Sequence, residues 1–206
     1  MLDFHPGRHD ALLVIDVQRD FCAGGRLEVP GGDEVVAPIN RLAEQFKTVA
    51  ITQDWHPAGH SSFASSHAGA EPFSEIMMPY GPQVLWPDHC IQNSKGAKFH
   101  KQLDTSNAAV VIRKGFRPDI DSYSAFFEND HRTPTGLANY LRECGIQRVY
   151  CVGLALDFCV RFSAEDARAQ GFETSVILNA CRAIDQDGSL SGALNAMRNA
   201  GVQLLA

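Results

Sequence analysis

No stretch of the 206-residue chain approaches the roughly 20 consecutive apolar residues of a membrane span. The start, Met1-Leu2-Asp3-Phe4-His5-Pro6, has no basic cluster followed by an apolar run. A membrane anchor and a targeting leader are therefore not expected, and the cytoplasm is the expected compartment. Basic residues are not in excess either: 18 Lys and Arg face 24 Asp and Glu, a net charge of −6 spread without long runs of either sign. That balance argues against nucleic acid as a partner. The six cysteines (22, 90, 144, 151, 159, 181) form no Cys-x-x-Cys, and a chain of this length needs no staples to fold, so they read as reduced thiols. Repeats, low-complexity tracts and linkers are also missing. With 45% hydrophobic and 20% charged residues, the chain has enough for one sizeable core, and residues 1–206 are read as a single domain.

What is present is an alternation of apolar runs and amphipathic segments. Ala11 to Asp16, Thr48 to Thr52, Val110 to Lys114, Arg148 to Val152, Thr174 to Leu178 and Gly201 to Leu205 read as strands. Helices are expected over Asp33 to Phe46 with Asp33 as N-cap, Thr133 to Cys144 with Pro134 in its first turn, Phe158 to Gln170, and Ser189 to Ala200. Continuously apolar strands alternating with helices predict an α/β fold: a parallel sheet of six strands covered on both faces, a three-layer αβα sandwich. About fifty residues rich in Pro, His, Ser and Gly follow the second strand, and a loop that long inside a compact domain is usually functional. The turn after the first strand, Asp16-Val17-Gln18-Arg19-Asp20-Phe21, has no Gly-x-Gly-x-x-Gly, which excludes a dinucleotide-binding reading.

Ligands in such folds bind beyond the carboxyl ends of the strands. Those ends carry Asp16, then Asp54 and His56, then Lys114, then Cys159. Each alone has an ordinary reading, as a turn cap, a solvated lysine or a small core cysteine; five at one edge suggest a site. Cys159 falls where a strand turns into a helix, and a thiol there is expected to ionise more easily than a free one. Asp16 fits a general base for it. Lys114 would stabilise the thiolate and hold down the carboxylate's pKa. Backbone N–H groups of Ala155 and Cys159 are candidates for an oxyanion hole, a set that suits amide hydrolysis. Asp54, His56 and His89 form a possible ligand set for zinc, iron or manganese, with Ser61 and Ser62 close in sequence. His60, His67, His100 and His131 read as surface histidines. Phe21, Trp86 and Tyr123 are aromatics that could wall a slot for a flat ring.

These segments, taken in order, resemble the isochorismatase-like cysteine hydrolase superfamily, from about Ala11 to the C-terminus. Asp16 to Phe21, Asp54-Trp55-His56-Pro57, Trp86-Pro87-Asp88-His89-Cys90, Lys114-Gly115 and Gly153-Leu154-Ala155-Leu156-Asp157-Phe158-Cys159-Val160 carry the resemblance. It implies strand order 3-2-1-4-5-6, an Asp16–Lys114–Cys159 triad and a cis peptide at Leu154–Ala155, with Leu154 and Ala155 beside the substrate. It also implies a divalent metal on Asp54, His56 and His89, His60 remaining open as an added ligand. Members that cleave the vinyl ether of isochorismate do not need the thiol, whereas amide-cleaving members do. With Cys159 present, and with motifs more similar to the metal-dependent nicotinamidases than to carbamoyl hydrolases, the expected reaction is nicotinamide plus water to nicotinate plus ammonia, in NAD salvage. Pyrazinamide is an expected further substrate, and self-association is left open. A catalytically silent binding protein on this scaffold would be expected to lose a triad member, and none is lost.

Overall fold

The structure, a computed structural model, describes residues 5–206; residues 1–4, part of the start read above for a leader, lie outside it. Six strands form one sheet: β1 (Asp10–Ile15), β2 (Thr48–Asp54), β5 (Ala108–Lys114), β6 (Arg148–Gly153), β7 (Glu173–Cys181) and β8 (Gln203–Leu205). Their order is β5-β2-β1-β6-β7-β8 and every neighbouring pair is parallel, the arrangement expected above. Strands β3 (Glu75–Met78) and β4 (Gly81–Val84) make an antiparallel hairpin within the long loop, which the sequence pattern had not indicated. The helices are α1 (Val36–Ala43), α2 (Leu137–Glu143), α3 (Arg161–Ala169) and α4 (Ser189–Asn199). No helix among the described residues is long and apolar enough to cross a membrane.

The central strand shows why three layers form. Side chains of a strand alternate between faces, and on β1 Leu12 and Val14 join a core with Val36 and Ile39 of α1. Ala11, Leu13 and Ile15 join a second core with Leu137 and Leu141 of α2, Ala164 of α3, and Ala193 and Met197 of α4. Full burial of each large aliphatic chain is worth about 1.5–3 kcal/mol, so a strand apolar from Ala11 to Ile15 is stable only between two such layers.

Helices α1, α2 and α3 start later than their patterns suggest, the first two each beside a glycine. Gly31 adopts φ 69° and leads into a tight 3₁₀ turn, Gly32–Val35, before α1. Asp33 lies inside that turn and caps nothing; its carboxylate accepts from Ala23 N–H at 2.7 Å and pairs with His100 at 3.1 Å. Gly136, at φ 97°, opens α2, so Pro134 lies in the preceding loop, bridged to Phe127.

Candidate active site

The parallel register sets Asp54 at the end of β2 directly beside Lys114 at the end of β5. Asp16 follows β1 with φ 49°, a left-handed conformation that costs a non-glycine residue about 1–2 kcal/mol. Thr52, two residues before Asp54, holds it there. Asp16 N–H donates to Thr52 Oγ1 at 3.1 Å, and the Thr52 hydroxyl donates to Asp16 Oδ1 at 2.6 Å. Gln18 makes a second clamp between the same strand ends: its amide donates to Asp54 O at 2.8 Å and accepts from Asp54 N–H at 2.7 Å. Neither Thr52 nor Gln18 stood out in the sequence, because amides and hydroxyls at strand ends are common and their partners lie 36 residues away.

After β6 the chain enters a π-helical turn, Leu156–Val160, ahead of α3. Gly153 at φ 118° allows this, since a Cβ there would overlap the Ile15 carbonyl. The Leu154–Ala155 peptide is cis. Cys159, 7% exposed, is carried on the turn. Its Sγ lies 3.6 Å from Lys114 Nζ, and the Asp16 carboxylate is near enough to raise the thiol's pKa. Lys114 Nζ also lies 2.9 Å from Asp16 Oδ2 and 2.9 Å from Asp54 Oδ1, and donates to Ser122 O at 2.7 Å. The structure thus brings Asp16, Lys114 and Cys159 together and joins them to Asp54.

Burial decides the protonation pattern. It pushes the Cys159 thiol well above its ordinary range, and although Lys114 pulls the other way, Asp16 and Asp54 add to the rise. Burial likewise raises Asp16 against the pull of Lys114. Both findings correct the expectations of an easily ionised thiol and a carboxylate held low. Lys114 resists the same burial because two carboxylates face it, and stays charged well above the usual lysine range. The resting pair is therefore a neutral thiol against a basic carboxylate, an arrangement for proton transfer during attack rather than for a preformed thiolate.

On the other side of Asp54 are two imidazoles. Asp54 Oδ2 is 3.1 Å from His56 Nε2 and 3.4 Å from His89 Nε2. His56 Nδ1 lies 2.9 Å from Gly115 O and His89 Nδ1 2.8 Å from Pro87 O. A carbonyl only accepts, so each Nδ1 carries the hydrogen, and in the neutral ring each Nε2 turns a lone pair toward a carboxylate oxygen. Acceptors facing acceptors in a buried cluster fit a divalent cation, and the backbone carbonyls fix the tautomer such a ligand needs. His60 differs from the surface histidine expected: it is fully buried, its Nδ1 accepts from Ser62 N–H at 3.1 Å and its Nε2 donates to Arg117 O at 2.8 Å, so both nitrogens are committed. Ser62 Oγ is 2.8 Å from the same Nδ1. His100 is also buried, against Asp33, and His67 is half-buried and bonded to Ser61 O; His131 is exposed as expected.

A narrow cavity lies between the two halves, lined by Phe21, Trp86, Tyr123 and Phe158 on its aromatic walls, by Ala155 and Cys159, and by Asp54 and His89. Trp86 and Phe158 meet edge to face at 4.8 Å, and Trp86 Nε1–H donates to the Tyr123 hydroxyl at 3.2 Å. Leu27, Asp121 and Ile184 complete the lining and were not anticipated. Leu154 is not among the lining residues; its side chain packs in the core that holds α1. Asp157 accepts from Ile184 N–H and Asp185 N–H at 3.1 and 2.8 Å, which ties the Ile184 segment to the turn carrying Cys159.

Comparison with known proteins gives the same picture. The chain matches the Isochorismatase domain family over residues 10–206. A nicotinamidase of Acinetobacter baylyi is 54% identical over 193 residues, covering 94% of this chain and 90% of that protein. A nicotinamidase and pyrazinamidase of Acinetobacter baumanii superposes with a TM-score of 0.96 at 51% identity, over 97% of this chain and 96% of that one. A Pyrococcus horikoshii pyrazinamidase solved in complex with zinc superposes with a TM-score of 0.77 at 35% identity, over 96% and 98%.

The Thr52 clamp yields a direct test. Thr52→Val keeps the shape but leaves Asp16 without its hydroxyl donor, an unsatisfied buried acceptor that costs about 1–3 kcal/mol. Stability in urea is expected to fall by that amount, and kcat by on the order of 10–100-fold as the carboxylate loses its fixed position. A variant with kcat within twofold of wild type would show that Thr52 does not position Asp16.

Proposed function

Because the chain belongs to the isochorismatase family, we propose that it hydrolyses nicotinamide to nicotinate and ammonia through a thioester on Cys159. The observation that carries this reading is the Cys159 thiol, 3.6 Å from the Lys114 Nζ that also holds Asp16 Oδ2 at 2.9 Å, opening on an aromatic-walled cavity that Asp54 and His89 also line. Sulfur attacks the amide carbon while its proton passes to Asp16. The developing oxyanion accepts from the N–H groups of Ala155 and Cys159. Collapse breaks the C–N bond, and Asp16 gives its proton to the departing nitrogen, so that ammonia leaves and a nicotinoyl thioester remains. Water, deprotonated by Asp16, then attacks the thioester; nicotinate departs and the thiol regains its proton. Lys114 holds Asp16 in place throughout and keeps a positive charge beside the reacting sulfur.

Phe21, Trp86 and Tyr123 hold the ring, and Ala155 packs beside the reacting carbon. Asp54, His56 and His89 would hold the divalent ion (zinc, iron or manganese), which would supply an electrophile for the ring nitrogen of the substrate. Pyrazinamide offers the same carboxamide and a ring nitrogen, and is a second substrate on this reading. The reaction is a step of NAD salvage, carried out by residues 1–206 as one hydrolase domain. We place it in the cytoplasm, where its free thiols stay reduced.

The reading is tested by ammonia release from nicotinamide, a carbamoyl amino acid and isochorismate offered side by side. Turnover of nicotinamide alone, reduced on the order of 10⁴-fold or more in Cys159→Ala with the fold intact, is the expected result. Near-normal turnover by the alanine variant would sink the thiol chemistry. Recognition of the ring nitrogen is tested separately with benzamide, which has the same shape and no lone pair. Its kcat/KM is expected to be lower by two orders of magnitude or more (roughly), and chelation should narrow that gap by weakening nicotinamide. Equal cleavage of both amides, or an unchanged ratio after chelation, would make the ion structural only.

A further inference from the structure

Asp121, in the loop after β5, is 2% exposed and lines the same cavity as Asp54, His89 and Cys159. The thioester chemistry gives it no part. Its Oδ1 accepts from Ser122 N–H at 2.8 Å and its Oδ2 accepts from Gln83 Nε2 at 2.9 Å. Its ion-pair contact among the described residues is not to a lysine or arginine but to an imidazole: Oδ1 lies 3.9 Å from His56 Nε2. That same nitrogen is 3.1 Å from Asp54 Oδ2. The ring nitrogen that faces the candidate metal centre therefore has a carboxylate oxygen on each of two residues, reached from β2 and from the loop after β5.

Formal charge points the same way. Lys114, 2.9 Å from both Asp16 and Asp54, cancels one charge of that pair. The other charge of the pair and that of Asp121 then remain buried beside imidazoles, an arrangement that is costly without positive charge. A divalent ion balances both, whereas Asp54 alone would leave the ion in excess. Gln83, itself buried on β4, fixes Asp121: one amide nitrogen reaches Asp121 Oδ2 and the Tyr123 hydroxyl, each at 2.9 Å. The hairpin thus has a task, since it carries the amide that aims Asp121.

We propose that Asp121 is part of the metal centre, supplying through Oδ1 a second carboxylate oxygen to the divalent ion or to a water bound on it. The proposal rests on the metal centre of the preceding subsection and adds a residue to it. Its test is metal affinity, measured independently of turnover. Wild type and Asp121→Asn, both as purified holoenzymes, are dialysed against a graded series of chelator concentrations with zinc or manganese as the probe, and retained metal per chain is counted by plasma mass spectrometry. The variant is expected to bind about 10–100-fold more weakly, the loss typical for an outer partner of a metal site. Equal affinity would overturn the role of Asp121 and leave the rest of the centre standing. A wild type that retains no metal would overturn both. Should the variant fold poorly, anomalous diffraction from wild-type crystals holding manganese decides: Asp121 Oδ1 on the ion or on its bound water is expected, and an ion whose shell Asp121 does not touch refutes the proposal.

Discussion

A lysine ammonium with no solvent exposure is the constraint on which the site depends. Lys114 Nζ touches Asp16, Asp54, Ser122 O and Cys159, and so joins the ends of β1 and β2, the loop after β5 and the turn after β6. Removing one partner of a buried ion pair costs about 3–5 kcal/mol, because the other charge is left stranded. None of these groups can therefore move alone. The sheet supplies the spacing: adjacent parallel strands bring Asp54 beside Lys114, and the left-handed turn at Asp16 swings its carboxylate toward the same nitrogen.

Around that nitrogen the site divides into two halves with different chemistry. One side holds a neutral thiol and a carboxylate made more basic by burial, which suits proton transfer in both directions along the proposed thioester route. The other side holds Asp54 with His56 and His89, whose outer nitrogens are bound to backbone carbonyls and whose inner nitrogens face inward. Asp54 belongs to both, with Oδ1 on Lys114 and Oδ2 on the imidazoles. The aromatic-walled cavity between the halves is lined by Cys159 and also by Asp54 and His89, as the proposed orientation of a flat ring requires.

Much of this was legible in the sequence because it depends on chain-local pattern. Continuous apolar runs mark buried parallel strands, and the ends of those runs and the turns after them hold Asp16, Lys114 and Cys159. What was not legible depends on contacts across the chain. The hairpin escaped notice because Glu75-Ile76-Met77-Met78 and Gly81-Pro82-Gln83-Val84 show no clear alternation, and Pro82 argues against a strand. His60 read as a surface residue because the carbonyls of Arg117 and Ile120 that bury it come from beyond β5. The clamping parts of Thr52 and Gln18 and the place of Asp121 carry no local signal; they exist only once β1, β2 and the loop after β5 meet. The pKa of Cys159 was misjudged for the same reason, since its place in the chain suggests stabilisation by a helix start while its burial is set by the whole fold.

In the proposed reaction the sulfur of Cys159 attacks the amide carbon. Rapid acid quench of the holoenzyme mixed with nicotinamide, followed by digestion and mass spectrometry of the Cys159 peptide, tests it most directly. A nicotinoyl group on that peptide, formed together with the first equivalent of ammonia, is the predicted result. Ammonia released in the first turnover while the Cys159 peptide stays unmodified at every time point would contradict it.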